Sequence, residues 1–276
     1  MKILLTGAGG GLARAVLEVT PPHHEVVAVT HAEFDIGDHQ DVLATVAEVA
    51  PDLIVNAAGF TKVDANEADP TRAFRDNAQG PQSLAIAARA AGAILVHIST
   101  DYVFDGEKGA PYDEADHPHP ISVYGRSKLL GERLVREALP DHVIVRTSWV
   151  FGGGDDHLSR QLARLRAGED AAGVNDRVGS PTYVRHLAER IVPLALTRRF
   201  GTYHLAGPEP TSWYDLVVRC RDVGGFGGAV AAQSAADLQM AAPRPANSAL
   251  TSVLVENLSI SRMPGLDDAL ADLLAR

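Results

Sequence analysis

Tyr124 and Lys128 stand four residues apart in "VYGRSKLLGE", residues 123–132. On a helix such a pair lies one above the other, so a phenol and an ammonium can converge on one point. A phenol with a resting pKa of roughly 10 is a poor acid at neutral pH, and a nearby cation favours its ionised form. The pair reads as a proton donor with its tuner, or equally as a surface Tyr and Lys. A second polar run, "STDYVFDG" (99–106), offers the Thr100 hydroxyl to a carbonyl oxygen, with Asp101 and Tyr102 beside it. Alone, that run also reads as a turn ending a strand.

A third motif suggests what such groups would work beside. In "LLTGAGGGLA" (4–13), Gly7, Gly10 and Ala13 fit G-x-x-G-x-x-[GA]. The first position permits a tight turn, the second lets backbone approach a pyrophosphate, and the third allows close helix–strand packing. Helix N–H groups then face the phosphates. The end of the following strand distinguishes dinucleotides: an acid there binds the ribose 2′-hydroxyl of NAD, and a basic residue suits NADP. Here Thr30 and His31 occupy the place, with Glu33 two residues on as the counter-argument. The reading favours NADPH and leaves NADH open.

The elements that must position these groups alternate. "KILLT" (2–6), "EVVAVT" (25–30), "DLIVN" (52–56), "AILVHIS" (93–99) and "HVIVRT" (142–147) predict strands, and 12–19, 40–49, 67–91 and 123–138 carry helical periodicity. Near-continuous apolar strands between helices mean a Rossmann-type α/β fold, a doubly wound parallel sheet. A dinucleotide-binding domain is expected over 1–151, with a segment near 182–205 returning to it. After the break "FGGGDD", 152–276 reads as a smaller C-terminal substrate-binding lobe. It holds helices at 157–168, 181–196, 211–220 and 266–275, a strand at 201–207 and a loose Gly/Ala-rich connection at 223–236.

Composition excludes several classes. A net charge of −10 argues against a broad basic face for nucleic acid, so an anionic ligand needs local cations. No apolar run approaches the ~20 residues of a membrane span. The lone Cys220 forms no internal disulfide, and no signal peptide is evident, so a cytoplasmic protein is expected. His117 and His119 flank Pro118 without a third ligand at sensible spacing, so no metal is expected. His97 reads as a satisfied core histidine, Trp213 and Tyr214 as packing, and Glu107, Asp113, Glu114 and Asp116 as a solvated loop.

Taken together, "TGAGGGLA" (6–13), "NAAG" (56–59), "STDYVF" and "YGRSK" resemble the extended short-chain dehydrogenase/reductases. Within them, "TKVDANE" (61–67), "RTSWVF" (146–151), "VNDRVGSPT" (174–182), "GTYHLAG", "TSWYD" (211–215) and "RPANSAL" (244–250) are similar to the dTDP-4-dehydrorhamnose reductase (RmlD) family, nearly end to end. The resemblance implies a catalytic set of Thr100, Tyr124 and Lys128 and reduction of the C4 ketone of a dTDP-4-keto-6-deoxyhexose by NADPH. It implies cofactor contacts from Gly7, Gly10, Gly11, Leu12, His31, Asp35, Ile36, Asn56, Ala57, Ala58 and Asn77, with Tyr124 and Lys128. For the dTDP-sugar it implies Thr61, Val63, Thr100, Asp101, Tyr102 and Trp149, with Asn175, Arg177, Arg244 and Asn247 toward the diphosphate. Two residues depart from the family pattern: Arg177 stands where Gln is frequent, and His31 where Arg is. Two other readings stay open, a ketoreductase for a modified deoxysugar of secondary metabolism and a non-catalytic cofactor-binding regulatory subunit. A dehydratase would want an acid–base pair after Thr100, and only Asp101 is there. The chain is expected to be a monomer or homodimer.

Overall fold

The computed structural model describes residues 1–276. Its first half runs β1 (Lys2–Thr6), α1 (Gly11–Val19), β2 (Glu25–Val29), α2 (His39–Val49), β3 (Leu53–Asn56), α3 (Val63–Ala68), α4 (Pro70–Phe74), α5 (Gly80–Ala91), β4 (Ile94–Thr100), α6 (Val123–Ala138) and β5 (His142–Thr147). Then follow β6 (Val150–Phe151), α7 (His157–Arg166), β7 (Ala171–Val174), β8 (Val178–Gly179), β9 (Thr182–Tyr183), α8 (Val184–Leu196), β10 (Gly201–His204), β11 (Thr211–Ser212), α9 (Trp213–Gly224), β12 (Val230–Gln233) and α10 (Leu266–Leu274). Six strands form one parallel sheet in the order β10-β5-β4-β3-β1-β2. The order reverses beside β1, and ligands bind at such a point, outside the carboxyl ends of the strands.

Alternation along β1 shows why the sheet needs two covers. Ile3 and Leu5 belong to one core with α1, α8 and the later helices, and Leu4 belongs to the other with α2 and α5. β10 pairs with β5 and α8 packs on α1, so residues 184–204 complete the first-half sheet and its cover. Three short two-stranded ribbons, β11-β8, β12-β7 and β6-β9, build the remaining lobe beside the crevice.

The helical periodicity over 67–91 does not yield one helix. Pro70 opens α4 under an Asp69 cap, and a π-helical segment, Arg75–Gln79, precedes α5. Pro81 has no N–H to give the Asn77 carbonyl, and α6 comes so near that a Cβ on Gly131 would lie 2.2 Å from that oxygen. The "FGGGDD" break is likewise ordered by one side chain. The Asp156 carboxylate accepts from the N–H groups of Gly152, Gly153 and Ser159 and from the Ser159 hydroxyl, capping α7.

Candidate active site

At the carboxyl end of β1, Gly7 adopts φ +75, and a Cβ there would come within 2.8–2.9 Å of the Ala57 and Ala58 backbone. Only glycine brings the two loops this close. Beneath them the polar residues of three neighbouring strands join in one row: Thr6 Oγ1 donates to Asn56 Oδ1 at 2.7 Å, and Asn56 Nδ2 meets His97 Nδ1 at 3.0 Å. His97 is therefore satisfied on one side only, since its buried Nε2 has no partner. Gly10 caps α1 without a side chain and the first turn carries no acid, so the helix offers bare N–H groups to an anion. Gly11 has another duty, because a Cβ on it would lie 2.6 Å from Gly153 Cα.

Two cavities meet at this loop. The larger, about 600 Å³, reaches from Gly10, Gly11 and Leu12 past Thr100 and Tyr124 to Trp149. The smaller, about 360 Å³, extends from Gly7, Ala57 and Ala58 to His31 and Ile36. An extended dinucleotide can lie across both, so the residues fit such a cofactor. The Glu33 carboxylate folds back onto the N–H and hydroxyl of Thr30, at 3.0 and 2.8 Å, and so acts as a cap on the end of β2. Asp35 pairs with Arg75, which the sequence reading passed over.

Asn77, which the resemblance places along the cofactor, packs against the Gly59–Phe60 turn. Its amide is wholly buried, accepting from Phe60 N and donating to Phe60 O, Asn66 Oδ1 and Ser127 Oγ. It holds the segment that presents Thr61 and Val63, both of which line the larger cavity.

α6 starts on a Ser122 cap, with Ser122 Oγ accepting from Gly125 N at 3.1 Å. A Cβ on Gly125 would lie 2.1 Å from the Tyr102 carbonyl, so the first turn is pressed against the β4 exit. Tyr124 is 8% exposed and Lys128 4%. Burial pushes the Tyr124 phenol up to about 12, partly offset by the Thr100 hydroxyl. Burial also pulls the Lys128 ammonium down to about 8, against the pull of Glu132. Lys128 Nζ donates to the Ile98 carbonyl at 2.6 Å, and no hydrogen bond joins it to Tyr124. One of its three donors is thus spent on anchoring the chain.

Thr100 Oγ1 donates to Asp101 Oδ1 at 3.0 Å and accepts from Tyr102 N. Asp101, expected beside the substrate, lines the larger cavity and is tied into the fold there. It is 2% exposed, and its other oxygen takes the Ser148 and Ser248 hydroxyls at 2.9 and 2.5 Å. Those serines tie the ends of β4 and β5 to the 244–250 segment; a serine in a loop carried no signal of this in the sequence. Thr147 was also missed: its buried hydroxyl has no partner and lines the larger cavity. The Tyr102 ring stands edge-on to Tyr124, 5.6 Å between centroids.

Trp149 takes φ +44, a strained backbone for a bulky residue, and its indole stacks on Trp213 at 4.2 Å. Trp213, read as packing, is the wall that fixes it. A Cβ on Gly179 would lie 2.3 Å from the indole, so β8 closes the other side. Arg244 is bidentate to Asp64 at 2.7 and 2.9 Å. Asn247 bridges to Val178 and its Oδ1 accepts from Ala249 N, which brings the 244–250 segment beside Arg177. Arg177 donates to the Asp176 carbonyl, and Asn175 is exposed. None of Asn175, Arg177, Arg244 and Asn247 lines the larger cavity. In the loop read as solvated, Glu114 accepts from His204 N, Ser252 Oγ and Val253 N and so stitches the lobe to β10.

Comparison with known proteins agrees with this geometry. The family described as "RmlD substrate binding domain" matches residues 1–276. The dTDP-4-dehydrorhamnose reductase of Aggregatibacter actinomycetemcomitans is 38% identical over 269 residues, 90% of each chain. That of Sinorhizobium fredii is 35% identical over 98% of this chain and 95% of its own. The crystal structure of dTDP-4-dehydrorhamnose reductase from Bacillus anthracis in complex with NADP superposes with a TM-score of 0.96, at 32% identity, covering 99% of this chain and 98% of that one. With a glycine loop at the switch point and a Thr–Tyr–Lys cluster at the crevice, matched along the whole chain, this protein belongs to the RmlD family of dTDP-4-dehydrorhamnose reductases.

Proposed function

We propose that this protein reduces the C4 ketone of a dTDP-4-keto-6-deoxyhexose with NADPH. The observation that carries the reading is the buried Thr100–Tyr124–Lys128 set, of which Thr100 and Tyr124 line the larger cavity and Lys128 stands one helical turn behind Tyr124. NADPH, when bound, supplies a hydride to the carbonyl carbon. The chain supplies the rest. Tyr124 remains protonated at neutral pH and gives its proton to the forming alkoxide. Lys128 stabilises the resulting phenolate and turns a free donor to the cofactor ribose. Thr100 swings its hydroxyl from Asp101 to the carbonyl oxygen. Thr147 offers its unpartnered hydroxyl to whatever lies on the cleft floor.

The smaller cavity takes the adenosine end. His31 lines it, Glu33 is folded onto Thr30, and Asp35 and Asp76 are paired with arginines, so a 2′-phosphate meets no unpaired carboxylate there. Trp149, Thr61, Val63 and Tyr102 enclose the sugar, and Arg244 serves the diphosphate after leaving Asp64. No helix is long and apolar enough to cross a membrane. Dehydratase chemistry is disfavoured because both oxygens of Asp101 are committed to hydroxyls.

Turnover of NADPH with a panel of dTDP-4-keto sugars tests the reading. Oxidation of NADPH that depends on the 4-keto-6-deoxy sugar supports it. Reduction of only a differently decorated sugar would favour the ketoreductase alternative, and binding of NADPH without any turnover the regulatory one.

A further inference from the structure

Tyr124, Lys128 and Glu132 succeed one another at four-residue steps on α6, so one buried stripe carries a phenol, an ammonium and a carboxylate. Glu132 is 0% exposed, and an unpaired charge there would be prohibitively costly. Arg146 on β5 answers it with two hydrogen bonds, Nε to Oε1 at 2.9 Å and Nη2 to Oε2 at 2.7 Å. Arg136 adds a longer contact at 3.4 Å. The fourth donor is the informative one: Ser99 Oγ reaches Oε1 at 2.6 Å. Ser99 sits between Ile98, whose carbonyl receives Lys128, and Thr100, whose hydroxyl faces the cleft. The carboxylate therefore grips the short stretch of β4 that presents both the lysine's acceptor and the reacting hydroxyl.

We infer that Glu132, held by Arg146 and Ser99, is a positioning residue for the reaction: it is the buried counter-charge that keeps Lys128 protonated and the brace that fixes Ile98–Thr100 against it. This rests on Lys128 acting as proposed above. The charged and titratable groups around the lysine come from every element packed there. Tyr124 and Glu132 lie on its own helix. On β4, His97 is held neutral by burial and by the Lys128 charge. Beyond β4, Asp101 lies next to Tyr124 and is bonded by three hydroxyls. On β5, Arg146 is turned onto Glu132, and it is the carboxylate that opposes the lysine's loss of its proton. Burial raises the Glu132 carboxyl, but Arg146 and Ser99 outweigh it, so the group stays ionised.

The sign follows directly. Without Glu132 the ammonium loses its attraction and releases its proton at lower pH, and the alkaline limit of activity moves down with it. The chain's lysines are Lys2, Lys62, Lys108 and Lys128, so the Cε resonance of Lys128 can be followed in lysine-labelled protein. In Glu132→Gln the Lys128 titration midpoint and the alkaline limb of kcat should both fall by about one unit. Glu132→Gln leaves Arg146 unpaired and can fail to fold, so the paired variant Glu132→Gln/Arg146→Met, which removes both charges, is the second arm. It should move both readouts in the same direction. An unchanged Lys128 midpoint in the folded paired variant overturns the inference, as does a midpoint that moves while the alkaline limb stays put. The resonance titrates without turnover, so a protein inactive on every keto sugar would still report on Glu132 separately from the proposed reaction.

Discussion

The α6 face and the 244–250 segment hold the proposed catalytic and diphosphate-binding residues, and the fold treats them differently. Tyr124 and Lys128 ride a 16-residue helix whose glycines meet backbone on two sides, and both side chains are buried. The 244–250 segment is a loop: its buried end is tied down by Ser248 N to Val178 O, Tyr112 N to Ala249 O, Leu250 N to Ser180 Oγ and the Ser248 hydroxyl to Asp101, and Arg244 stands at its other end. Its cation, Arg244, is already paired with an acid of α3. The groups proposed to act on the reacting bond sit on a rigid element, where small displacements would cost rate. The group proposed to recognise the ligand's charge is parked on a half-exposed carboxylate, which can release it at small cost.

The strongest way to break this contrast is at the rigid end. Tyr124→Phe keeps the ring against Tyr102 and removes the proton donor. We expect kcat to fall by at least about 10² with NADPH affinity nearly unchanged. Single-turnover kinetics and cofactor titration separate the two. Normal turnover would remove Tyr124 from the reaction and leave α6 as scaffold.

At the other end, Arg244→Ala should weaken dTDP binding by about 1.5–3 kcal/mol, the range for a hydrogen bond to a charged group, and leave NADPH binding intact. Asp64 supplies the complementary test. Asp64→Asn frees the guanidinium without removing it, so dTDP affinity should rise by up to about 1 kcal/mol, the worth of a partly exposed pair. Calorimetry with dTDP reads both. If the two substitutions shift affinity in the same direction, the Asp64–Arg244 pair is itself part of the binding surface.

The same contrast explains what was legible in the sequence. Strands β1 to β5, α1, α6 and the glycine loop announce themselves, because apolar runs, helical spacing and Gly7–Gly10 are local patterns. Thr100, Tyr124 and Lys128 also stand in local patterns, a strand exit and a four-residue helical step, but their catalytic role came from the resemblance and not from the spacing. What escaped was long-range. The break between α3 and α5 depends on α6 reaching the Asn77 carbonyl, and nothing within 67–91 reveals that approach. Glu114 looked solvated because its partners, His204, Ser252 and Val253, lie about ninety residues and more away. Ser148, Ser248 and Glu132 matter through residues from other strands, and single serines or a helical glutamate carry no signal of that. Asn77, placed along the cofactor by resemblance, also holds Phe60 through its amide, a contact that its own segment does not reveal.

Asp101 is the joint between the two regions, since Thr100 belongs to the rigid side and Ser248 to the other, and it gives the smallest and most specific test. Burial raises its carboxyl from 3.8 to about 6, against the pull of the Ser248, Ser148 and Thr100 hydroxyls. The folded state therefore holds this proton more tightly than the unfolded chain does. The stabilisation from that proton is full below the unfolded value and is lost as pH rises through about 6. Asp101→Asn keeps the shape and cannot titrate. Going from pH 7 to pH 5, wild type should gain on the order of 1 kcal/mol relative to the variant. Urea unfolding of both proteins at the two pH values measures this double difference, in which the other titrating groups largely cancel. A flat difference would mean that the three hydroxyls outweigh burial and keep Asp101 ionised throughout. The joint would then be a permanent anion beside Tyr124, disfavouring the phenolate across this pH range and leaving its stabilisation to Lys128.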